Sequence, residues 1–108
     1  MNWRYATLRT RTDDSVHVLV IEIALHLPWS TSLKDKRKVR YGLIDRLTRR
    51  HRISVKEVDC QDTQQTLCLG IAGVVLTEAG AHELEQSILK TIEENCDGEI
   101  REWNVEII

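Results

Sequence analysis

The sequence predicts an α+β domain with its elements in the order β-α-β-β-α-β. Three observations carry this reading. Apolar residues alternate with a period of two in four separate segments. They recur at helical spacing in two longer segments, one after the first strand and one after the third. Turn or capping residues mark most of the transitions.

Residues 1–15 are polar and aperiodic, and Asp13-Asp14-Ser15 reads as a turn, so a flexible N-terminal extension is expected before a single domain over residues 16–108. Residues 16–27 alternate: Leu19, Ile21, Ile23, Leu25 and Leu27 form one face of a strand, and Val18, Val20, Glu22, Ala24 and His26 form a second face that is only half polar. Ser32 is a helix N-cap with Asp35 three residues on, a short variant of the capping box. Leu33, Val39, Leu43, Ile44 and Leu47 then give the apolar stripe of a helix that ends near His51.

Residues 53–59 read as a second strand. Val55 and Val58 are three apart, so a bulge near Lys56-Glu57 or a change of face is expected. After a turn at residues 60–63, residues 66–76 form a third strand with Leu67, Leu69 and Ile71 on one face and the small Cys68, Gly70 and Ala72 on the other. Thr77 caps a second helix whose stripe is Ala81, Leu84, Ile88 and Ile92. Asp97-Gly98 is a turn, and Trp103, Val105 and Ile107 share one side of a final strand. Two helices on one face of a four-stranded antiparallel sheet in this order is the ferredoxin-like arrangement.

Composition narrows the class. At 108 residues the chain is one domain by size. Its 42% apolar content supports an ordinary core, and 30% charge with a single proline argues against disorder. Cys60, Cys68 and Cys96 are an odd number without CxxC spacing, which suits reduced thiols in a cytosolic protein. Residues 1–15 hold three arginines and no apolar signal region, and the apolar stretch 18–27 is too short to span a bilayer. A soluble cytoplasmic protein, with no membrane partner, is expected.

Charge is distributed unevenly. Residues 34–52 hold nine Lys or Arg against Asp35 and Asp45, a net +7 on a chain whose total is −2. Such asymmetry speaks of partners more than of fold. Arg46, Arg49, Arg50 and Arg52, near the helix C-terminus, are accounted for by the helix dipole. Lys34, Lys36, Arg37 and Lys38 sit at the N-terminal end, where cations are disfavoured, and call for another reason. Lys34, Lys36, Arg37, Lys38 and Arg40 are therefore the expected phosphate contacts, extended by Arg46, Arg49 and Arg50. The bland alternative is a solvated helix face. A single anion at the helix N-terminus is a further, generic option, without a Gly-rich phosphate loop to support it. Trp29, in the turn after the first strand, is positioned either to stack on a base or to pack over the sheet edge.

The string His26-Leu27-Pro28 followed by Ser32-Leu33-Lys34-Asp35-Lys36-Arg37 resembles the hallmark of the YlxP-like family, a bacterial domain of unknown function (domain of unknown function 503). A second match runs through Ser54-Val55-Lys56-Glu57-Val58-Asp59, Gln61-Asp62 and Gln65 to Leu69-Gly70. The resemblance covers residues 18–108 and leaves out the first fifteen. It implies a ferredoxin-like fold and a gene neighbourhood rich in translation and ribosome-maturation factors, which points towards RNA. It supplies no activity and no catalytic residue.

Glu57, Asp59 and Asp62 form a candidate acidic site. At strand spacing Glu57 and Asp59 share a face, so their carboxylates could converge on Mg²⁺ or perform acid–base work. The favoured alternative is an acidic edge that pairs with the basic helix or guards an exposed strand. The histidines lack metal spacing, so no metal and no cofactor is predicted. Cys68 reads as a small core residue. The third strand carries no aromatic, so base stacking of the RRM kind is not expected. Residues 27–33 hold neither the arginine of an acylphosphatase-like loop nor the paired cysteines of a heavy-metal site. The reading disfavours an enzyme.

Val18, Val20 and Ala24 with Cys68, Gly70, Ala72 and Val74 make a flat, partly apolar sheet surface that a monomer rarely exposes. A sheet-to-sheet homodimer, or the N-terminal arm, would cover it. The sequence thus points to an RNA- or ribosome-associated accessory factor. The runner-up is a protein-interaction module docking on an acidic partner; third comes a small-ligand or Mg²⁺ enzyme.

Overall fold

Leu19, Ile21, Ile23 and Leu25, at alternate positions of β1 (His17–His26), are each 3% exposed or less. Their neighbours across the ladder to β3 (Thr66–Val75) are equally apolar: Ile21 faces Ile71, Ile23 faces Leu69 and Leu25 faces Leu67. One side of the sheet centre is therefore a continuous hydrophobic floor. The computed structural model describes residues 16–108, and the extension expected over residues 1–15 lies outside them.

Strand β2 (Ser54–Asp59) flanks β3, and β4 (Glu99–Ile107) flanks β1, giving an antiparallel sheet in the order β2-β3-β1-β4. Helices α1 (Leu33–His51) and α2 (Glu78–Asn95) cover the apolar floor, burying Leu43 and Leu47 from one and Ala81, Ile88 and Ile92 from the other. This is the βαββαβ ferredoxin-like fold that the periodicities predict.

The helix termini follow local chemistry. Ser32 Oγ accepts the Asp35 N–H at 3.1 Å, and Thr77 Oγ1 accepts the Gly80 N–H at 2.8 Å. The reciprocal half of the first capping box reaches one residue further back than expected: Asp35 accepts from the N–H and hydroxyl of Thr31, both at 3.1 Å. These bonds, the backbone one first, hold the Asp35 carboxyl below its ordinary value. At the other end Arg52 closes α1 in the left-handed conformation, φ 53°, with its N–H on Thr48 O at 3.0 Å. His51 Nε2 lies 2.8 Å from Thr91 Oγ1, whose hydroxyl donates to Ser87 O, so the last turn of α1 is tied to α2.

The bulge expected in β2 lies one residue later, between Glu57 and Asp59. Glu57 keeps the helix side, opposite Leu69, whereas Asp59 sits opposite Cys68 on the open side. Val58 lies over Gly70, where an added Cβ would come within 2.7 Å of Val58 Cγ1. A second shift, between Ala24 and Leu25 against β4, leaves Arg101 unpaired in the ladder and has no counterpart in the sequence reading.

The side of the sheet away from the helices is open among the described residues. Val18, Val20, Ala72 and Val74 run along its centre, and Val74 is 71% exposed. No helix among the described residues is long and apolar enough to cross a membrane.

Candidate nucleic-acid interface

Helix α1 sorts its cations by the 3.6-residue period. Lys34, Arg37, Lys38, Arg46, Arg49 and Arg50 are exposed. Lys36 and Arg40 fall on the inward stripe with Leu43 and Leu47. Lys36 is buried and taken up by the fold, which corrects its reading as a phosphate contact, whereas Arg40 is partly exposed with one guanidinium nitrogen committed to Glu57. Lys36 is 2% exposed, and its ammonium donates to the carbonyls of Cys60 and Thr63 (2.9 Å to Thr63), with Gln61 O at 3.4 Å. It also stands 3.1 Å from Glu57 Oε2. Arg40 Nη1 donates to Glu57 Oε1 at 2.8 Å.

Glu57 is thus clamped between two cations of the helix above it. Burial pushes its carboxyl up, but Arg40 and Lys36 together outweigh burial and hold it below its ordinary value. Glu57 in turn raises Arg40, keeping the guanidinium charged. The acidic site does not assemble. Glu57 faces the helices, Asp59 faces the open side with Oδ1 on the Cys60 N–H at 2.8 Å, and Asp62 is exposed in the loop after β2. Among the described residues no three His, Cys, Asp or Glu side chains are grouped to hold a metal.

The exposed cations have few partners. Arg49 pairs with Asp45 at 3.0 Å, but both side chains are well solvated, so the pair contributes little. Among the described residues Lys34, Arg37, Lys38, Arg46 and Arg50 form no ion pair. Trp29 is 45% exposed and lines a groove of about 300 Å³ together with Lys38, Gly42 and Arg46 of α1 and Asn95 and Asp97 at the end of α2. On the other side of Gly42 a second recess is lined by Asp45, Arg46, Arg49 and Arg50. The structure therefore joins Trp29 to Lys38 and Arg46, and Arg46 to Arg49 and Arg50. Lys34 and Arg37 lie outside both recesses, on the exposed first turns of α1.

A family model described as a protein of unknown function, DUF503, matches residues 18–105. The chain belongs to the DUF503 family. The match runs from β1 to β4 and takes in every element of the fold. No curated protein matches the chain significantly.

Much of the motif that carries the DUF503 resemblance is architectural. Gln65 Nε2 donates to the carbonyls of Pro28 and Ser30, both at 3.2 Å, and Gln65 O accepts the Leu27 N–H at 2.8 Å. Ser30 is fully buried, with its hydroxyl on Ser32 O. Gln65 thus fixes the Pro turn, while Lys36 fixes the loop after β2. Together they hold the N-terminus of α1 against the β2–β3 connection. Two features escape sequence reasoning. Gly42 is a mid-helix glycine whose interest is visible only once its surroundings are known. The contact between the Cys60 and Cys68 thiols depends on the bulge. Cys68, read as a core residue, is half-buried on the open side.

Proposed function

We propose that this DUF503 protein is a cytoplasmic RNA- or ribosome-associated accessory factor that binds RNA phosphates through the exposed face of α1. Lys34, Arg37 and Lys38 form the N-terminal half of that face, and Arg46, Arg49 and Arg50 extend it.

The observation that carries the reading is the groove around Gly42. A glycine in a helix interior is less favourable than alanine by about 1 kcal/mol. An added Cβ at Gly42 would meet nothing within 4 Å beyond its own stretch of helix, so tertiary packing within the described residues gives no reason for its absence. Close approach by a partner gives one. An exposed indole, two cations and an unobstructed floor suit a nucleotide, with a base on Trp29 and phosphates near Lys38 and Arg46. This favours RNA over an acidic protein surface, which needs charge but neither an indole nor a glycine floor.

The deciding experiment is equilibrium binding of a labelled ribosomal RNA fragment across a salt series. Six phosphate contacts give a slope of about −4 to −5 in log K against log salt. Absence of binding at low salt, with nuclease-resistant capture of an acidic protein, would move the assignment to the protein-interaction reading. The reading also includes self-association through the open sheet face. In support, an apolar groove of about 530 Å³ runs there between Val20, Val58, Gly70 and Ala72.

A further inference from the structure

We propose that Cys60 and Cys68 are a redox-active thiol pair that closes to an intrachain disulfide on reaction with a peroxide or a low-molecular-weight disulfide. The inference is independent of RNA binding. Cys68 Sγ–H donates to Cys60 Sγ at 2.9 Å. A disulfide bond is about 2.05 Å long, so closure draws the sulfurs together by less than about 1 Å.

The framework holds this approach in place. The bulge sets Asp59 opposite Cys68, and Cys60 follows it in the left-handed conformation, φ 60°, which is costly for a residue with a Cβ. Both backbone groups of Cys60 are tied: its N–H to Asp59 Oδ1 at 2.8 Å, its carbonyl to the buried Lys36 ammonium. The thiols therefore meet because strand register and a buried lysine fix their backbones. In the single chain both residues are half-buried, within reach of a small oxidant, so the reaction belongs to the protomer with its open sheet face uncovered.

Cys68 donates its S–H to Cys60, which leaves the Cys60 sulfur as the acceptor and the first to attack; burial, and next the Cys60 thiol, also hold Cys68 well above the ordinary thiol range. With peroxide, the Cys60 sulfur displaces one oxygen as water and becomes a sulfenic acid. The Cys68 sulfur then attacks it, forming the S–S bond and releasing the second water. Two thiols and one peroxide give one disulfide and two waters. With a small disulfide, two thiol exchanges release two small thiols.

The test treats the reduced full-length protein with hydrogen peroxide and counts free thiols. The chain has three cysteines, and the count is expected to fall to one, with loss of two hydrogens in mass and a Cys60–Cys68 cross-link on peptide mapping that dithiothreitol reverses. Cys96→Ser should react identically. Cys68→Ser should stop at a Cys60 sulfenic acid trapped by dimedone. Equal consumption of Cys96, a cross-link between chains, or an unchanged thiol count in both wild-type and Cys96→Ser protein would overturn the proposal.

Discussion

The Lys36 ammonium lies 3.1 Å from the Glu57 carboxylate where α1 packs on β2, and both side chains are less than one-tenth exposed. Glu57 Oε2 makes no hydrogen bond among the described residues, so the Lys36 charge is its compensation. Breaking a buried pair costs about 3–5 kcal/mol, and the lower end applies to Lys36 because Arg40 still holds the other oxygen of Glu57. Lys36→Met should lower unfolding free energy by about 3 kcal/mol in urea denaturation. Lys34→Met, at an exposed position, should change it by less than about 0.5 kcal/mol.

Acid should act in two stages. His51 is held below its ordinary value of 6.5, by burial first and Arg50 second, so it is neutral in the fold. Its contribution is present above 6.5 and is lost as pH falls through the depressed folded value. Glu57 is likewise depressed from 4.5, so its contribution is present above 4.5 and is lost as pH falls through its own folded value. Denaturation midpoints between pH 7 and 3 should show both declines; His51→Gln should remove the first and Glu57→Gln the second.

Gly42→Ala should separate stability from function. The methyl enters open space and improves helix propensity, so the variant should gain about 0.5–1 kcal/mol, a rise of about 2–8 °C in Tm by calorimetry. RNA affinity should fall in the same protein. Unchanged affinity would show that nothing approaches the helix there.

The fold was legible because every element carries its own period, from the alternation of Leu19 to Leu25 to the stripe of Ala81, Ile88 and Ile92. The site was legible only in part. Charge and the helix dipole singled out residues 34–38, but neither distinguishes a lysine facing solvent from one facing a loop. One signal was there to use: Lys36 precedes Leu43 by seven residues and Leu47 by eleven, which places it on the buried stripe. Its carbonyl partners come from the loop after β2, more than twenty residues away, and no local pattern reports them. The acidic pair failed for a related reason. Strand parity put Glu57 and Asp59 on one face, and a single bulged residue sent them to opposite ones.

Self-association has its own test. Val74 is 71% exposed on the open sheet face, so Val74→Glu should leave the secondary structure of the domain unchanged by circular dichroism. If two sheets pair through this face, light scattering should give a dimer for the wild type and a monomer for the variant. A monomeric wild type would remove the dimer from the account.

RNA binding by the exposed cations of α1, with Lys36 serving the fold, is decided by one measurement: ribosomal RNA affinity across a salt series for the wild type and for Lys34→Glu, Arg37→Glu, Lys38→Glu combined. Expected are steeply salt-dependent binding by the wild type, loss of that binding in the triple variant, and a urea midpoint at least as high in the variant, because acids suit a helix N-terminus and cations do not. Wild-type protein that fails to bind at low salt, or a triple variant that binds as tightly, would contradict it.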